Sequence, residues 1–366
     1  MAFGFLRRKK SDTSAKELYH ELKVKDVIKE TSDAITISFY MPDPPISYMA
    51  GQFLTLIQDI EDKPVRRAYS LCTSPVVDED LAVMVKRVKG GLMSNHLNDA
   101  IKPGDTIHVM EPMGTFTTVF DEANKRHIIM FAGGSGITPM MSITKSTLVR
   151  EPNSIVSLIY ANRNFESIIY KDQLQKLETR YEGRLRVIHI LDNAPLEWQG
   201  PSGLLNHEML GKLFERIPDW GIDHTTYLMC GPEGMMNNVE TLLAERNIPE
   251  EKIFKESFVA GTIDKAKTDK DTGSISAQTV TLLYDGEEFE VEVKPDEAIL
   301  DAALDMDLDL PYSCQSGLCT ACRGKCLSGK VKMDEDEGLS EAEKKAGYVL
   351  PCVSHPLTDD VKIQIG

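Results

Sequence analysis

Two rhythms of apolar residues divide the chain. In the first third, short runs rich in β-branched and aromatic residues, "LKVKDVIKET", "AITISFYM", "QFLTLIQDI", "RRAYSLC" and "LAVMVKRV", are separated by "PDPP", "EDKP" and "VVDED". Many short strands at close spacing predict a small antiparallel β-barrel over residues 18–120. From residue 121 apolar strands ("HIIMFAGG", "SIVSLIYANRN", "LRVIHILD", "TYLMCGP") alternate with helical stretches ("PMMSITKSTLVRE", "KDQLQKLETRY", "LNHEMLGKLFERI", "MMNNVETLLAERN"). That alternation predicts a doubly wound α/β domain around a buried parallel sheet, over residues 121–258. Residues 259–278, "VAGTIDKAKTDKDTGSISAQ", are nearly free of large apolar groups and read as a linker. Beyond them "TVTLLYDGEEFEVEV" predicts a hairpin turning at Asp285–Gly286. "DEAILDAALDMDL" predicts an amphipathic helix with Ile299, Leu300, Ala303 and Leu304 on one side.

Bulk properties narrow the function. A chain of 366 residues with 42% hydrophobic side chains is long enough for about two or three cores. No uncharged apolar run approaches the roughly 18 to 20 residues that span a bilayer. Residues 1–17 place a basic cluster behind a very short apolar stretch, which reads as a flexible tail and not a secretory or twin-arginine signal. Cytoplasmic residence is the expectation. The net charge of −16 is uneven: residues 279–366 hold 19 acidic and 8 basic side chains, a net −11. Such a module disfavours nucleic acid and suits steering toward a basic protein surface, although a merely solvated acidic face gives the same charge.

Seven cysteines, an odd number with no secretory signal, do not read as a disulfide framework. Four of them crowd into "PYSCQSGLCTACRGKC". Cys314, Cys319 and Cys322 follow the spacing C-x4-C-x2-C, and Cys352 follows after 29 intervening residues. This is the spacing of a plant-type 2Fe–2S site; zinc and free thiols are the competing readings, and zinc knuckles usually come as two C-x2-C pairs. Gly317 and Gly324 are expected to let main-chain amides approach the sulfurs. Cys326 falls outside the pattern and reads as a small packed residue.

Other motifs are weak singly and stronger in order. "RAYS", Arg67, Ala68, Tyr69 and Ser70, offers a cation, an aromatic ring and a hydroxyl; Gly90, Gly91 and Ser94 precede a helix start suited to a phosphate. "AGGSGITPMMS" places Gly134, Gly136, Thr138 and Pro139 between a strand and a helix, and "CGPEGM" places Cys230, Gly231 and Pro232 after a later strand.

Residues 279–366 resemble plant-type ferredoxins, through "PYSC", "GLCTACRGKCLSGKV" and "LPCVSHP". The resemblance implies an α+β β-grasp module whose Cys314, Cys319, Cys322 and Cys352 hold a 2Fe–2S cluster. The upstream motifs resemble the ferredoxin–NADP reductase superfamily. It implies a flavin site in which Arg67 holds the pyrophosphate, Tyr69 packs on the flavin and Ser70 bonds near its reactive nitrogen. Gly91 and Ser94 would make a second pyrophosphate contact, and "EPMGTF" the loop that follows, favouring FAD over FMN. In the pyridine-nucleotide domain the glycine loop and "CGP" imply NADPH or NADH as donor. Cys230 would orient the nicotinamide, with Glu256 and Phe258 of "KESF" near the flavin contact. Arg163, at the end of "YANRN", is suited to an adenosine 2′-phosphate and leans the expectation toward NADPH.

Taken together the resemblance implies an NAD(P)H-dependent reductase, passing electrons through FAD and the cluster to an oxygenase. That partner is expected to be a multicomponent, di-iron protein docking at the acidic ferredoxin module. The alternatives are another hydroxylase or desaturase as acceptor, or a non-enzymatic cluster-binding redox sensor.

Overall fold

The computed structural model describes residues 19–61, 63–258, 277–336 and 338–365. The expected tail 1–17 lies outside these residues, as does the expected linker 259–278 except for its last two positions.

The first unit is a six-stranded antiparallel sheet of β1 (Tyr19–Thr31), β2 (Ala34–Phe39), β3 (Phe53–Ile60), β4 (Lys63–Ser70), β5 (Leu81–Lys86) and β6 (Thr106–Met110). Its order is β4-β3-β6-β1-β2-β5. A bridge between Leu71 and Val83 brings the two edges together, so the sheet curls into a barrel. Alternate side chains point inward, and Leu22, Val24, Ile37, Leu54, Leu56 and Val83 fill the interior. The helix α1 (Leu92–Ala100) closes one end, seating Met93 and Leu97 in the same core.

The second unit is a five-stranded parallel sheet of β7 (His127–Gly133), β8 (Ile155–Asn162), β9 (Leu185–Leu191), β10 (Thr225–Cys230) and β11 (Ile253–Glu256), ordered β11-β10-β7-β8-β9. Four helices cover it: α2 (Ile137–Arg150), α3 (Lys171–Arg180), α4 (His207–Phe214) and α5 (Glu233–Glu245). The strand β7 shows why it is wound on both faces. Ile128, Met130 and Ala132 pack with residues of α2 and α3, while Ile129 and Phe131 pack with residues of α4 and α5. The strand order reverses between β7 and β10, and that crevice is where such sheets bind ligands.

Barrel and parallel sheet share a core. Ala34, Ala50, Ala82, Met84 and Phe116 belong to the apolar cluster built around α2. Polar contacts cross the same seam, with Thr36 and Tyr170 hydroxyls 3.0 Å apart and those of Ser74 and Ser146 2.8 Å apart.

The third unit is a mixed five-stranded sheet. Its strands are β12 (Gln278–Tyr284), β13 (Glu287–Val293), β14 (Gly324–Ser328), β16 (Tyr348–Val349) and β18 (Lys362–Ile365). Strands β15 (Val331–Met333) and β17 (Ser354–Pro356) pair beside it. The hairpin turns at Asp285 and Gly286, both at positive φ (53° and 79°), the conformation a tight two-residue turn requires. Helix α6 (Ile299–Asp305) packs Ile299, Leu300, Ala302 and Ala303 onto the sheet, and α7 (Glu341–Lys345) follows the cysteine loop. The expected helix runs to residue 308; it stops earlier because Asp307 turns left-handed at φ 59°. The core of this unit contains only residues from Val280 onward. Among the described residues no helix is long and apolar enough to cross a membrane.

Candidate functional site

At the crevice between β7 and β10 the two turns pack main chain against main chain. A Cβ on Gly136 would lie 1.9 Å from the carbonyl oxygen of Cys230, and one on Gly133 2.5 Å from Pro232 Cδ. Glycine is therefore the residue that lets "GGSG" and "CGP" touch. Gly134 takes φ 52°, and its carbonyl accepts a hydrogen bond from Tyr160 Oη at 2.9 Å. Thr138 and Pro139 are buried in the first turn of α2, and the Thr138 hydroxyl donates to the Ser135 carbonyl at 2.8 Å. These two side chains shape the loop from behind. Gly231 sits in the opposite turn, where a Cβ would come within 2.9 Å of the Gly133 amide nitrogen.

Three expected catalytic positions meet at the same edge. Cys230 ends β10 directly opposite Glu256 on β11, and the Glu256 carboxylate accepts a hydrogen bond from Ser70 Oγ, at the end of β4, at 3.2 Å. Residues 186 positions apart thus join the barrel to the parallel sheet. Glu256 keeps part of its surface open, yet its carboxyl is enclosed by protein; that desolvation pushes its pKa up to about 8, and the Ser70 bond only partly offsets it. Burial, reinforced by Glu256, pushes the Cys230 thiol well above its ordinary value. It stays protonated and suits orientation, not attack. Phe258 lies two residues beyond Glu256 and is 40% exposed.

On β4, alternation puts Arg67 and Tyr69 on one face and Arg66, Ala68 and Ser70 on the other. Arg67 is exposed, while Tyr69 is half-buried against the barrel core. Gly90, at φ 74°, has nothing within 4 Å of where a Cβ would stand. Gly91 caps α1, and a Cβ there would come within 2.8 Å of Ser94 Oγ, which itself accepts the Val88 amide at 3.1 Å. An open helix start, a cation and an aromatic ring on one barrel fit a dinucleotide flavin. The "EPMGTF" loop is tied to β3 by paired main-chain bonds between Phe53 and Met113 at 2.8 and 3.0 Å. Arg163 lies exposed just past β8; its carbonyl accepts the Asn193 amide at 2.7 Å and its charge acts on Asp192.

The cysteine loop is built for sulfur ligands. Gln315 (φ 52°) and Gly317 (φ 73°) turn left-handed, and the amides of Ser316 and Cys319 both donate to Cys314 Sγ at 3.4 Å. Gly317 also makes room for Glu335, whose carbonyl oxygen would stand 2.8 Å from a Cβ. Gly324 plays a different part from the one expected. It pairs with Val349 and Ile365 in β14, and its missing side chain admits Ile363, 2.5 Å from where a Cβ would be. The four thiols form one connected group, Cys314 interacting with both Cys319 and Cys352, and Cys352 with Cys322 as well. Contacts from Cys319 and Cys352 hold the Cys314 thiol far below its ordinary range. Among the described residues no three His, Cys, Asp or Glu side chains are placed for one metal ion. Four thiols gathered in one group, with the buried, unpartnered Ser313 hydroxyl as a donor at the loop, fit a cluster held by four cysteines. Cys326 lies in β14 with its thiol 3.1 Å from the Ser328 carbonyl, outside that group.

One group at the site has no motif in the sequence. The Arg66 guanidinium stacks over the Tyr312 ring at 4.2 Å, two residues before Cys314, and lies 3.9 Å from Asp309. The cysteine loop therefore rests against the strand that carries "RAYS". Its signal was the doubled arginine before "AYS", which no spacing rule connects to a tyrosine so far along the chain.

Comparison with known proteins agrees with this layout. Residues 21–118 match the oxidoreductase FAD-binding domain, 130–241 the oxidoreductase NAD-binding domain and 282–357 the 2Fe-2S iron-sulfur cluster binding domain. The chain is 36% identical over 350 residues to one of the subunits of 1,2-phenylacetyl-CoA epoxidase from Escherichia coli (strain K12), covering 94% of this chain and 97% of that protein. It is 35% identical over 355 residues to the ferredoxin reductase component of 3-ketosteroid-9-alpha-monooxygenase from Mycobacterium tuberculosis, covering 94% and 95%. The structure of phthalate dioxygenase reductase shares the fold at TM-score 0.58 and 23% identity, covering 94% of this chain and 98% of that one.

Proposed function

Because the chain belongs to the family of oxidoreductases that join an FAD-binding domain, an NAD-binding domain and a C-terminal 2Fe-2S domain, we propose that it is the reductase component of a multicomponent oxygenase. Its acceptor is a di-iron phenylacetyl-CoA epoxidase, docking at the acidic C-terminal module. When bound, FAD takes two electrons and a proton as hydride from NAD(P)H, and the cluster takes electrons singly and hands them on. The chain's own residues do the rest. The two glycine turns seat the dinucleotide, and Cys230 orients the nicotinamide from a thiol that stays protonated. Ser70 and Glu256 hold a proton at the junction: the hydroxyl donates to the carboxylate, and at neutral pH the carboxyl itself is largely protonated. Cys314, Cys319, Cys322 and Cys352 hold the cluster, and Arg163 takes the 2′-phosphate of NADPH.

The single observation that carries the reading is the sharing of β4. Its end, Ser70, meets the nicotinamide-side residues, and its middle, Arg66, meets the cysteine loop. One strand thus borders both the hydride entry and the electron exit. A second acceptor class has its own support: the 3-ketosteroid monooxygenase reductase is nearly as similar, at 35%.

An anaerobic absorption titration with NADPH and NADH in parallel tests the chemistry. Both flavin and iron–sulfur bands bleach, and Arg163→Gln raises the NADPH requirement about tenfold or more while leaving NADH unaffected. Loss of neither band from the loaded protein refutes the reductase reading and favours a sensor, whereas loss of the flavin band alone refutes only the passage of electrons to the cluster. Turnover with the oxygenase proteins of phenylacetyl-CoA epoxidase then tests the acceptor. Product from a steroid hydroxylase and none from the epoxidase overturns that assignment.

A further inference from the structure

The third unit touches the other two in a way that differs from the seam between those two. Barrel and parallel sheet share apolar residues, whereas the core of the third unit draws on no residue before Val280. Among the described residues a group of polar and aromatic contacts with the barrel converges on Arg66. Beyond Tyr312 and Asp309, the guanidinium donates to Tyr19 Oη at 3.3 Å, and Tyr19 Oη donates to Asp309 Oδ1 at 2.6 Å. Arg66 is 17% exposed and Asp309 67%. The Arg66–Asp309 pair is long and wet, so salt screens it. The planar guanidinium on the Tyr312 face is the contact that screening spares, and it is one that lysine reproduces poorly. Tyr312 and Asp309 stand two and five positions before Cys314, so whatever fixes them fixes the cysteine loop.

We propose that Arg66 is a positioning residue for electron transfer, a latch that seats the cysteine loop against the flavin strand through Tyr312, Asp309 and Tyr19. This rests on the reductase reading above and assigns the docking of its exit. Each transfer takes one electron from the reduced flavin to one ferric iron of the cluster, NAD(P)H being the reductant, and falls off with distance. A latch of four side chains without an apolar core holds the loop in place and is also able to release it, as handing electrons to an outside acceptor requires.

The test uses the full chain loaded with FAD and cluster, in Arg66→Gln, Arg66→Lys and Tyr312→Leu forms. In rapid mixing with NADPH, flavin bleaching keeps its native rate, while cluster bleaching slows about tenfold or more in the Gln and Leu variants and less in Lys. The double variant Arg66→Gln with Tyr312→Leu is no slower than either single one, because the two side chains form one contact. Hydrogen exchange gives a reading independent of turnover. Amides of residues 308–313 exchange faster in the variants, and those of the hairpin 279–293 do not. Should Tyr312→Leu lose its cluster, Tyr19→Phe and Asp309→Asn test the same latch from its other members. Native cluster-bleaching rates in loaded variants, or unchanged exchange at 308–313, overturn the proposal. If NADPH fails to bleach flavin in the unsubstituted protein, the reductase reading falls instead, and the exchange measurement still decides the latch.

Discussion

Replacing Glu256 by glutamine is expected to change how stability depends on pH, in a direction set by the enclosure of its carboxyl. In the native fold this group holds its proton up to about pH 8, against an ordinary value of 4.5. Between those values the folded protein binds more protons than the unfolded chain, so stability falls as pH rises through the window and is flat outside it. One pH unit corresponds to about 1.4 kcal/mol, which sets an upper bound of roughly 5 kcal/mol across the window. Although the carboxyl is enclosed, the residue as a whole is only partly buried, and solvent screening at its open side reduces the expectation to about 2–3 kcal/mol. Glu256→Gln keeps the size and accepts the Ser70 hydroxyl, but it cannot ionise. Its melting temperature relative to the native protein should therefore rise between about pH 5 and about pH 9. A gain of roughly 5–10 °C follows from 2–4 °C per kcal/mol for a unit of this size. The assay is calorimetry of both proteins, loaded with FAD and cluster, across that range. Parallel curves would refute the reasoning, since they would mean that Glu256 titrates in the folded protein as it does in the unfolded one.

Three further substitutions probe separate parts of the site. Gly136→Ala forces a methyl group to 1.9 Å from the Cys230 carbonyl, so the turns must part. We expect a loss of about 1–3 kcal/mol in thermal unfolding and a much slower flavin reduction by NADPH; native reduction would show that the turns need not touch. Cys326→Ser should retain the full iron–sulfur absorption, because its thiol faces the Ser328 carbonyl, whereas Cys319→Ser should lose the plant-type spectrum. A spectrum lost from Cys326→Ser would displace the ligand set.

What the sequence made legible follows the range of its signals. Periodicity is local, so the strands of the barrel, the alternation of the parallel sheet and the Asp285–Gly286 turn were readable from neighbouring residues. The cysteine loop was readable because three of its sulfurs lie within nine residues. Glycines were legible as glycines but not in purpose: Gly324 looked like a cluster residue and instead clears space for Ile363, a neighbour fixed by strand pairing. The last edge strand, Ile253–Glu256, is four residues long and drew notice only through the "KESF" motif. Its pairing with β10 is what sets Glu256 beside Cys230. Arg66 was invisible because its partners, Tyr19, Asp309 and Tyr312, share no repeat or spacing with it.

The acidic C-terminal module shows how sequence charge and structure divide the work of recognition. Several of its acids are engaged within the chain: Asp334 with His355, Asp336 with Lys344, Glu343 with Arg323 and Glu288 with Lys362. Such pairing leaves the net −11 of residues 279–366 unchanged, because the lysine and arginine partners are already counted in it and His355 is taken as neutral. Long-range steering depends on that net charge and survives the pairing. Short-range docking depends on which carboxylates a partner can reach, and Asp309 is 67% exposed while it faces Arg66. Asp309 thus carries part of the module's net negative charge at the contact that joins the cysteine loop to the barrel.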